Sequence, residues 1–223
     1  MRDLLLEVGS KNDGGAWHVQ GDVTLALNAL ADQMRQLHVG HVRHYWRGEQ
    51  LAVTDAQGGR MGSVERGAVR PLGIATRAVH LVGSTPDGGT WVQQRSLAKA
   101  NDPGFWDTVM GGMVSAHDTL QTALERETYE EAGLHLNQIS QLSYGGCVIL
   151  QRPTGEADDE GIGYVVEAID WYRCTVPHGL QPVNQDGEVA QFQLLNRAEL
   201  LARLQGNQFT LEAALVLAAA LAL

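Results

Sequence analysis

The stretch from residue 111 to residue 134 reads GGMVSAHDTLQTALERETYEEAGL, and it constrains the chain more than any other segment. Its apolar spacing predicts a helix with glycine on both sides. Glu127, Glu130 and Glu131 fall within little more than one turn of that helix. Residues three and four apart share a helical face, so these carboxylates repel one another by roughly a few tenths of a kcal/mol per pair. A hard divalent cation would turn this repulsion into binding.

The acids also lie on the side of the helix that is otherwise apolar. At 100° per residue, Glu127 and Glu131 continue the apolar line that begins at Leu120. An ordinary surface helix carries its charges opposite the apolar stripe. Because partial desolvation strengthens the repulsion between carboxylates, this placement favours a cation site over a solvated acidic face.

Both ends of this helix have capping chemistry. Asp118 is predicted to be the N-cap, and Gln121 three residues later completes a capping-box pattern. The helix is expected to run to about Ala132. Gly133 then supplies the turn that ends it, because glycine adopts the left-handed conformation without a steric penalty.

Strand and helix patterns alternate along the rest of the chain. A period of 3.6 predicts a helix at 24–38 that ends at Gly40, and the PDGG turn at 86–89 predicts a hairpin ahead of the acidic helix. The predicted strands cover residues 41–47, 50–56, 77–83, 90–96, 144–152 and 163–176, and the C-terminal helices follow Asn196 and Thr210. This interleaving predicts an α/β (α+β) fold, in which helices cover a mixed sheet. The acidic segment 154–161 predicts either a flap over a substrate or a solvated loop.

Length and charge limit the number of domains and the kinds of partner that the chain can have. The 223 residues suit one large domain or two small ones, at roughly 150 residues per domain. The formal net charge is -10, with 26 acidic and 16 basic residues, which argues against binding to a nucleic acid polymer. A phosphorylated small molecule stays compatible with this charge if a cation mediates the contact.

The remaining sequence features concern the compartment and the state of association. Cys147 and Cys174 are too few for a disulfide framework, so they are interpreted as buried free thiols. The N-terminus lacks a signal sequence, and the apolar run at 211–223 is shorter than the ~20 residues that span a bilayer. We therefore expect a cytoplasmic protein with no membrane contact. The apolar final helix is expected to be buried either in its own domain or in a homodimer interface.

The spacing of residues 112–134 resembles the Nudix box. The family pattern is G, five residues, E, seven residues, then R-E-U-x-E-E-x-G-U, where U is a bulky aliphatic residue. The matching positions are Gly112, Arg126, Glu127, Glu130, Glu131, Gly133 and Leu134. Two positions depart from the pattern: Asp118 replaces the first glutamate, and Thr128 replaces an aliphatic residue. The aspartate reaches less far than glutamate, and the threonine adds a hydroxyl that needs a hydrogen-bond partner.

A wider resemblance covers roughly residues 40–223. Segments such as WVQQRSLAK and PGFWDTVMGG look like the subgroup of Nudix proteins that has an extra N-terminal domain and is associated with thiamine pyrophosphokinase. The resemblance implies a Nudix α/β/α sandwich at 73–223, preceded by a small α+β extension at 1–72. The chain is also loosely similar to isopentenyl diphosphate isomerases. Their catalytic cysteine is missing here, because the stretch 108–110 reads Thr-Val-Met, and this disfavours isomerase chemistry.

The Nudix resemblance implies a pyrophosphohydrolase that uses Mg²⁺ or Mn²⁺ to cleave a diphosphate linkage in a small molecule. Glu127, Glu130 and Glu131 would bind the cation and supply the base, with Arg126 orienting a glutamate and the Gly112 backbone close to the metal. Thiamine diphosphate or its oxidised derivatives are the substrates that the subgroup suggests. A non-catalytic Nudix module that binds a nucleotide or a protein partner is the alternative function.

Three further residues are candidates for the same site. Many family members recruit a glutamate from a loop well after the box, and Glu188 is the candidate here, the alternative being a surface acid beside a turn. Arg95 and Lys99 are scarce cations in an acidic chain, and they are expected to bind substrate phosphates. A structural ion pair is the alternative for Arg95.

Overall fold

The computed structural model describes residues 6–8, 17–19, 21–39, 42–154 and 163–222. The chain divides into two compact units. The first comprises Met1–Thr76, Ser115–His117 and Gln151–Val166, and the second comprises Arg77–Val114, Asp118–Leu150 and Glu167–Leu223. The predicted division into an extension at 1–72 and a domain at 73–223 stays a prediction.

The first unit combines short strands with one long helix. Its elements are β1 (Leu6–Val8), β2 (Trp17–Val19), α1 (Val23–Gln36), α2 (Val42–Tyr45), β3 (Gln50–Thr54) and β4 (Arg60–Glu65). The strands β1 and β2 pair antiparallel, and so do β3 and β4. The side-chain amide of Asn28 on α1 donates to the side chain of Gln50 and to the carbonyl oxygen of Ser63. This amide joins the helix to both strands of the second hairpin.

Two predictions for the first unit are wrong in part. Within the predicted strand at 41–47, residues 42–45 form the short helix α2, in which Val42 is buried and Arg43 and His44 are exposed. One buried position in a four-residue turn gives no periodic signal, so the local pattern could not separate a strand from a turn of helix. Helix α1 ends at Gln36 with Leu37 as its cap, and the predicted cap Gly40 lies outside the described residues.

A sheet that lies mostly in the second unit has helices packed against it. The strands are β5 (Thr76–Ser84), β6 (Thr90–Arg95), β7 (Trp106–Asp107), β8 (Met110–Met113), β9 (Ser140–Pro153), β10 (Tyr164–Thr175) and β11 (Val189–Leu195). Their order is β11-β6-β5-β10-β9, with β7 beside β6 and β8 beside β5. Helix α3 (Leu120–Ala132) packs against β8, α4 (Arg197–Gln205) against β11 and α5 (Leu211–Leu221) against β7. The predicted α/β architecture with a large mixed sheet is confirmed.

The strands β5 and β6 of the hairpin pair with each other only near the turn and then separate. The two strands pair with each other at the turn end, where Gly83 lies opposite Trp91. Farther from the turn, β8 pairs with β5 and β7 pairs with β6, so that Val79 lies opposite Gly112 and Gln93 lies opposite Asp107. The short strands thus bring the glycine pair and Gln93 beneath helix α3.

Helix α3 begins one residue later than predicted. Thr119, not Asp118, is the N-cap: its hydroxyl accepts a hydrogen bond from the N–H of Thr122, whose own side chain completes the capping box. The helix ends as predicted at Gly133, which has a φ of 63°. Its apolar face enters a core formed by β5, β8, β10 and the segment after the helix. The fully or nearly buried members of that core are Val79, Leu81, Val109, Met110, Ala123, Leu124, Ala132, Leu134, Ile139, Cys174 and Val176.

Several smaller predictions can also be compared with the structure. Cys174 is buried as expected, whereas Cys147 is exposed because it lies on β9, where most residues face solvent. Helix α5 buries Val216 and Leu217 but leaves Leu211 exposed. Among the described helices, none is both long and apolar enough to cross a bilayer. Most of the acidic loop at 154–161 lies outside the described residues.

Candidate active site

Glu131 is the most deeply buried acid of the box, with an exposure of 3%. One of its oxygens, Oε2, accepts hydrogen bonds from Nε2 of Gln93 at 2.8 Å and from the backbone N–H of Gly111 at 3.0 Å. Burial raises the pKa of Glu131 to about 8, although the Gly111 and Gln93 donors and the charge of Lys99 act in the opposite direction. The site therefore holds a carboxyl group whose charge needs a further positive partner.

Glu127 lies against the backbone of the glycine pair. A Cβ atom added to Gly112 would lie 2.1 Å from Cδ of Glu127 and 2.5 Å from each carboxylate oxygen. A Cβ atom on Gly111 would lie 2.6 Å from the ring of His80. A side chain at Gly112 would displace the carboxylate of Glu127, and one at Gly111 would displace the ring of His80, so the strand passes between these two residues because both positions are glycine.

Arg126 joins the remaining acids of the box. Its Nη1 donates to Oε1 of Glu127 at 2.8 Å and to Oε2 of Glu130 at 3.1 Å. Its Nε and Nη2 donate to Oδ2 of Asp118 at 3.1 and 2.7 Å. Burial acts to lower the pKa of Arg126, but the bond to Asp118 and the charge of Glu127 outweigh it and raise the pKa. Arg126 thus contacts Glu127 and also pairs with Glu130 four residues later on the helix, and its role in orienting a glutamate stays a prediction.

Asp118 takes a different role from the predicted helix cap. Its carboxylate accepts hydrogen bonds from the guanidinium group of Arg126 and from the hydroxyl of Thr122. Asp118 lies just before the N-cap Thr119, and its side chain reaches back along the first turns of the helix to Arg126. Asp118 thus holds the arginine that in turn holds Glu127.

Lys99 and Glu188 are in contact with each other through the ammonium and carboxylate groups. The backbone also connects these segments, because the N–H of Ser96 donates to the carbonyl oxygen of Glu188 at 2.8 Å. The charge of Lys99 lowers the pKa of Glu131, so the lysine lies within electrostatic range of the buried acid. The two candidates predicted from distant parts of the chain thus lie together, and their roles toward metal and phosphate stay predictions.

Arg95 has the geometry of a structural ion pair. Its side chain is 14% exposed, and Nη1 lies 3.4 Å from Oδ2 of Asp107. Nε and Nη2 donate to the carbonyl oxygen of Asn101 at 3.3 and 3.0 Å. These contacts favour the structural alternative, and phosphate binding by Arg95 stays a prediction.

No three His, Cys, Asp or Glu side chains of the described residues are arranged to hold a metal ion together. The physical reason lies in their present partners. Arg126 bridges Glu127 and Glu130, while Glu131 turns toward Gln93. Arg126 contacts the carboxylates of Asp118, Glu127 and Glu130, and Lys99 contacts Glu188 and acts on the charge of Glu131. Within this group of described side chains the acids outnumber the bases, and a divalent cation would compensate that excess.

Sequence analysis missed Gln93 entirely. Its side chain is almost fully buried; Nε2 donates to Glu131, and Oε1 has no hydrogen-bond partner among the described residues. The available signal was a polar residue at an inward position of the strand TWVQQR. Thr128, whose hydroxyl was expected to need a partner, is buried and its hydroxyl makes no hydrogen bond within the described part of the chain.

Comparisons with known proteins identify the domain family of the chain. The NUDIX domain model matches residues 75–215. A Nudix hydrolase of Pseudomonas aeruginosa is 36% identical over 86 residues, which are 39% of this chain and 51% of that protein. The chloroplastic Nudix hydrolase 24 of Arabidopsis thaliana is 28% identical over 141 residues, 62% of this chain and 37% of that protein. The chain thus spans about half the length, or less, of these relatives.

A solved structure gives the same result for the fold. The crystal structure of a Deinococcus radiodurans protein matches with a TM-score of 0.56 and 19% identity, and the match covers 73% of this chain and 92% of that chain. At this level of identity the likeness concerns the fold alone.

Proposed function

The chain belongs to the NUDIX domain family, and on that premise we propose that it is a divalent-metal-dependent hydrolase. The bond cleaved is a diphosphate linkage in a small organic or nucleoside-type molecule. Water attacks phosphorus, the bridging P–O bond breaks, and two phosphate-bearing products leave. The observation that carries this proposal is the buried, uncompensated carboxyl group of Glu131 beside the glutamates held by Arg126.

The side chains present fit a hard divalent cation. Glu131 lacks a cationic hydrogen-bond partner, and the buried Oε1 of Gln93 is an acceptor without a donor among the described residues. Gly112 gives Glu127 the room that any side chain would take. Carboxylate oxygens are the ligands that Mg²⁺ and Mn²⁺ prefer.

The metal would be held by Glu127, Glu130 and Glu131, with Glu188 and the Gly112 backbone as further contributors. Bound Mg²⁺ or Mn²⁺ supplies charge neutralisation of the diphosphate and a lowered pKa for the attacking water. The chain's own residues do the rest. Arg126 orients Glu127, Gln93 and Gly111 fix Glu131, and one glutamate of this set accepts the proton of the water.

The substrate is the finer part of this proposal. Thiamine diphosphate or its oxidised derivatives follow only from the resemblance to the subgroup associated with thiamine pyrophosphokinase, with Lys99 and Arg95 as candidates for phosphate contacts. A cytoplasmic location and a homodimer likewise stay predictions. A panel of diphosphates therefore has to decide the substrate.

The test compares three proteins on that panel with Mg²⁺ or Mn²⁺. Wild type, Glu131→Gln and Glu125→Gln are scored for phosphate release and for Mn²⁺ affinity by electron paramagnetic resonance. Glu125 is the matched control because it is an exposed glutamate on the same helix. We expect wild type and Glu125→Gln to hydrolyse at least one diphosphate and Glu131→Gln to lose both activity and Mn²⁺ binding.

The non-catalytic module makes the opposite prediction. If wild type hydrolyses no diphosphate and Glu131→Gln binds Mn²⁺ as wild type does, the enzymatic proposal fails. Binding of an intact nucleotide without turnover would then favour the module.

A further inference from the structure

Another buried carboxylate lies on the sheet, outside the box. Asp170 on β10 has a side-chain exposure of 2%. Its Oδ2 accepts a hydrogen bond from Nε of Arg77 at 2.7 Å, and its Oδ1 accepts one from the hydroxyl of Tyr144 at 2.9 Å. Both oxygens of a buried acid are thus used to hold two exposed side chains.

The two exposed side chains are rigidly placed. The ring of Tyr172 meets that of Tyr144 edge to face, with centroids 5.4 Å apart and an angle of 71°. The hydrogen bond to Asp170 raises the pKa of Tyr144 to about 12 and also raises the pKa of Arg77, so both groups keep their protons in the physiological range. Such fixation lowers the entropy that a ligand must remove on binding.

Arg77 and Tyr144 nevertheless present binding groups to solvent. The side chain of Arg77 is 55% exposed, and within the described part of the chain its two Nη nitrogens have no hydrogen-bond partner. Tyr144 is also 55% exposed. An aromatic ring and a planar donor group therefore stand side by side at the surface of the sheet.

The strand register places Arg77 on the strand that pairs with the glycine pair of the box. Arg77 precedes Val79 by two residues on β5, and Val79 lies opposite Gly112, whose missing side chain makes room for Glu127. Residues two apart in a strand share a face and are roughly 7 Å apart. Arg77 therefore lies on the same face of the sheet as Gly112, the position that makes room for Glu127.

The charge balance between Arg77 and Asp170 indicates which kind of ligand Arg77 and Tyr144 would bind. Arg77 and Asp170 neutralise each other, so a further anion would gain little from this arginine. A neutral planar ring with acceptor atoms at its edge gains both stacking on Tyr144 and N–H donors from Arg77. An alkyl chain would use neither group.

We propose that Arg77 and Tyr144, held by Asp170, bind the heterocyclic ring of the substrate and thereby select ring-bearing diphosphates over alkyl diphosphates. This inference rests on the proposed hydrolase function. It assigns substrate recognition to residues of β5 and β9 that lie outside the box.

The test measures the preference of the enzyme for a ring-bearing diphosphate over an alkyl diphosphate. The value of kcat/KM is determined for a nucleoside diphosphate and for an alkyl diphosphate of the same charge, and their ratio is compared among variants. Tyr144→Leu removes the ring, Tyr144→Phe keeps the ring without the hydroxyl, and Arg77→Lys keeps the charge without the planar donors. Arg173→Gln is the matched control, since Arg173 is an exposed arginine that faces the ring of Trp171.

We expect the ratio to fall roughly tenfold in Tyr144→Leu, through KM for the ring-bearing substrate, as loss of a stacking partner predicts. Tyr144→Phe should retain most of the preference, Arg77→Lys should lose part of it, and Arg173→Gln should keep it. Equal loss for both substrates in Tyr144→Leu, or an unchanged ratio, would overturn the inference.

A binding measurement separates this inference from the hydrolase proposal. Calorimetry without metal compares binding of a nucleoside monophosphate to wild type and to Tyr144→Leu. If wild type hydrolyses nothing but binds this probe more tightly than the variant, the hydrolase proposal fails and the recognition site stands. Equal binding by both proteins overturns the recognition site.

Discussion

Glu131 and Asp170, two of the buried carboxylates in the second unit, are held in opposite ways. Glu131 accepts hydrogen bonds from an amide and a backbone N–H, both neutral donors, and its pKa rises to about 8. Asp170 accepts from a guanidinium group and a phenol. Neutral donors leave the charge of a buried acid uncompensated, whereas an arginine compensates it in place. Glu131 is therefore the acid that needs a cation, and Asp170 is the acid that positions other groups.

Replacing Glu131 tests this contrast most severely. Glu131→Gln keeps the shape of the side chain and removes its charge, so we expect kcat/KM for the diphosphate substrate to fall by roughly a thousandfold. Mn²⁺ affinity, measured by electron paramagnetic resonance, should fall with it. A variant that keeps wild-type affinity for Mn²⁺ would remove Glu131 from the metal site.

The stability of the metal-free protein should depend on pH through the same residue. The pKa of Glu131 is raised from 4.5 to about 8 on folding, so between these values the folded protein holds a proton that the unfolded chain releases. The free energy of unfolding should therefore decrease as pH rises through this window, by on the order of a few kcal/mol.

Urea unfolding in the presence of a chelator measures this slope. Glu131→Gln should flatten it, because the amide does not titrate, and excess Mn²⁺ should reduce it. An identical slope in wild type and Glu131→Gln would assign the pH dependence to other groups.

Gln93 should matter less than the acid that it holds. Gln93→Leu removes one of two donors to Glu131, and we expect a loss of about 10- to 100-fold in Mn²⁺ affinity, as for other residues that orient metal ligands. Gln94→Leu is the control, because Gln94 bonds to Gly104 and Gln191 instead. Equal effects of both changes on metal affinity would indicate a general loss of packing.

Replacing Asp170 should have the smallest effect of these changes, and it should alter stability without altering Mn²⁺ affinity. Asp170→Asn weakens its bond to Arg77, and we expect a loss of about 1–2 kcal/mol in the free energy of unfolding. Mn²⁺ affinity should stay unchanged, because the bonds of this residue go to Arg77 and Tyr144. A fall in metal affinity comparable to that of Gln93→Leu would erase the distinction between the two acids.

The sequence predicted those parts of the structure that are encoded locally. The end of α3 at Gly133 and the cap of α4 at Asn196 follow from chemistry within four residues, and both are confirmed. Asp118 was misassigned because Thr119 offers competing cap chemistry one residue later. The pairing of Asp118 with Arg126 depends on the true start of the helix, which spacing alone does not determine.

Long-range pairing explains what the sequence left out. Gln93 reaches Glu131 only because β7 and β8 open the hairpin and carry the glycine pair beneath the helix. Asp170 meets Arg77 across 93 positions of sequence. Neither contact has a local pattern, since a polar residue within a strand signals burial only when the neighbouring strands are known.

The contacts around Glu131 also bear on the order in which the chain assembles. Gly111 and Gln93 lie 20 and 38 positions from Glu131, whereas Lys99 and Glu188 are separated by 89. Closing a short loop loses less chain entropy than closing a long one. The glutamate centre is therefore expected to form early from one continuous segment, and the contact with Glu188 to close last, when the C-terminal strand joins the sheet.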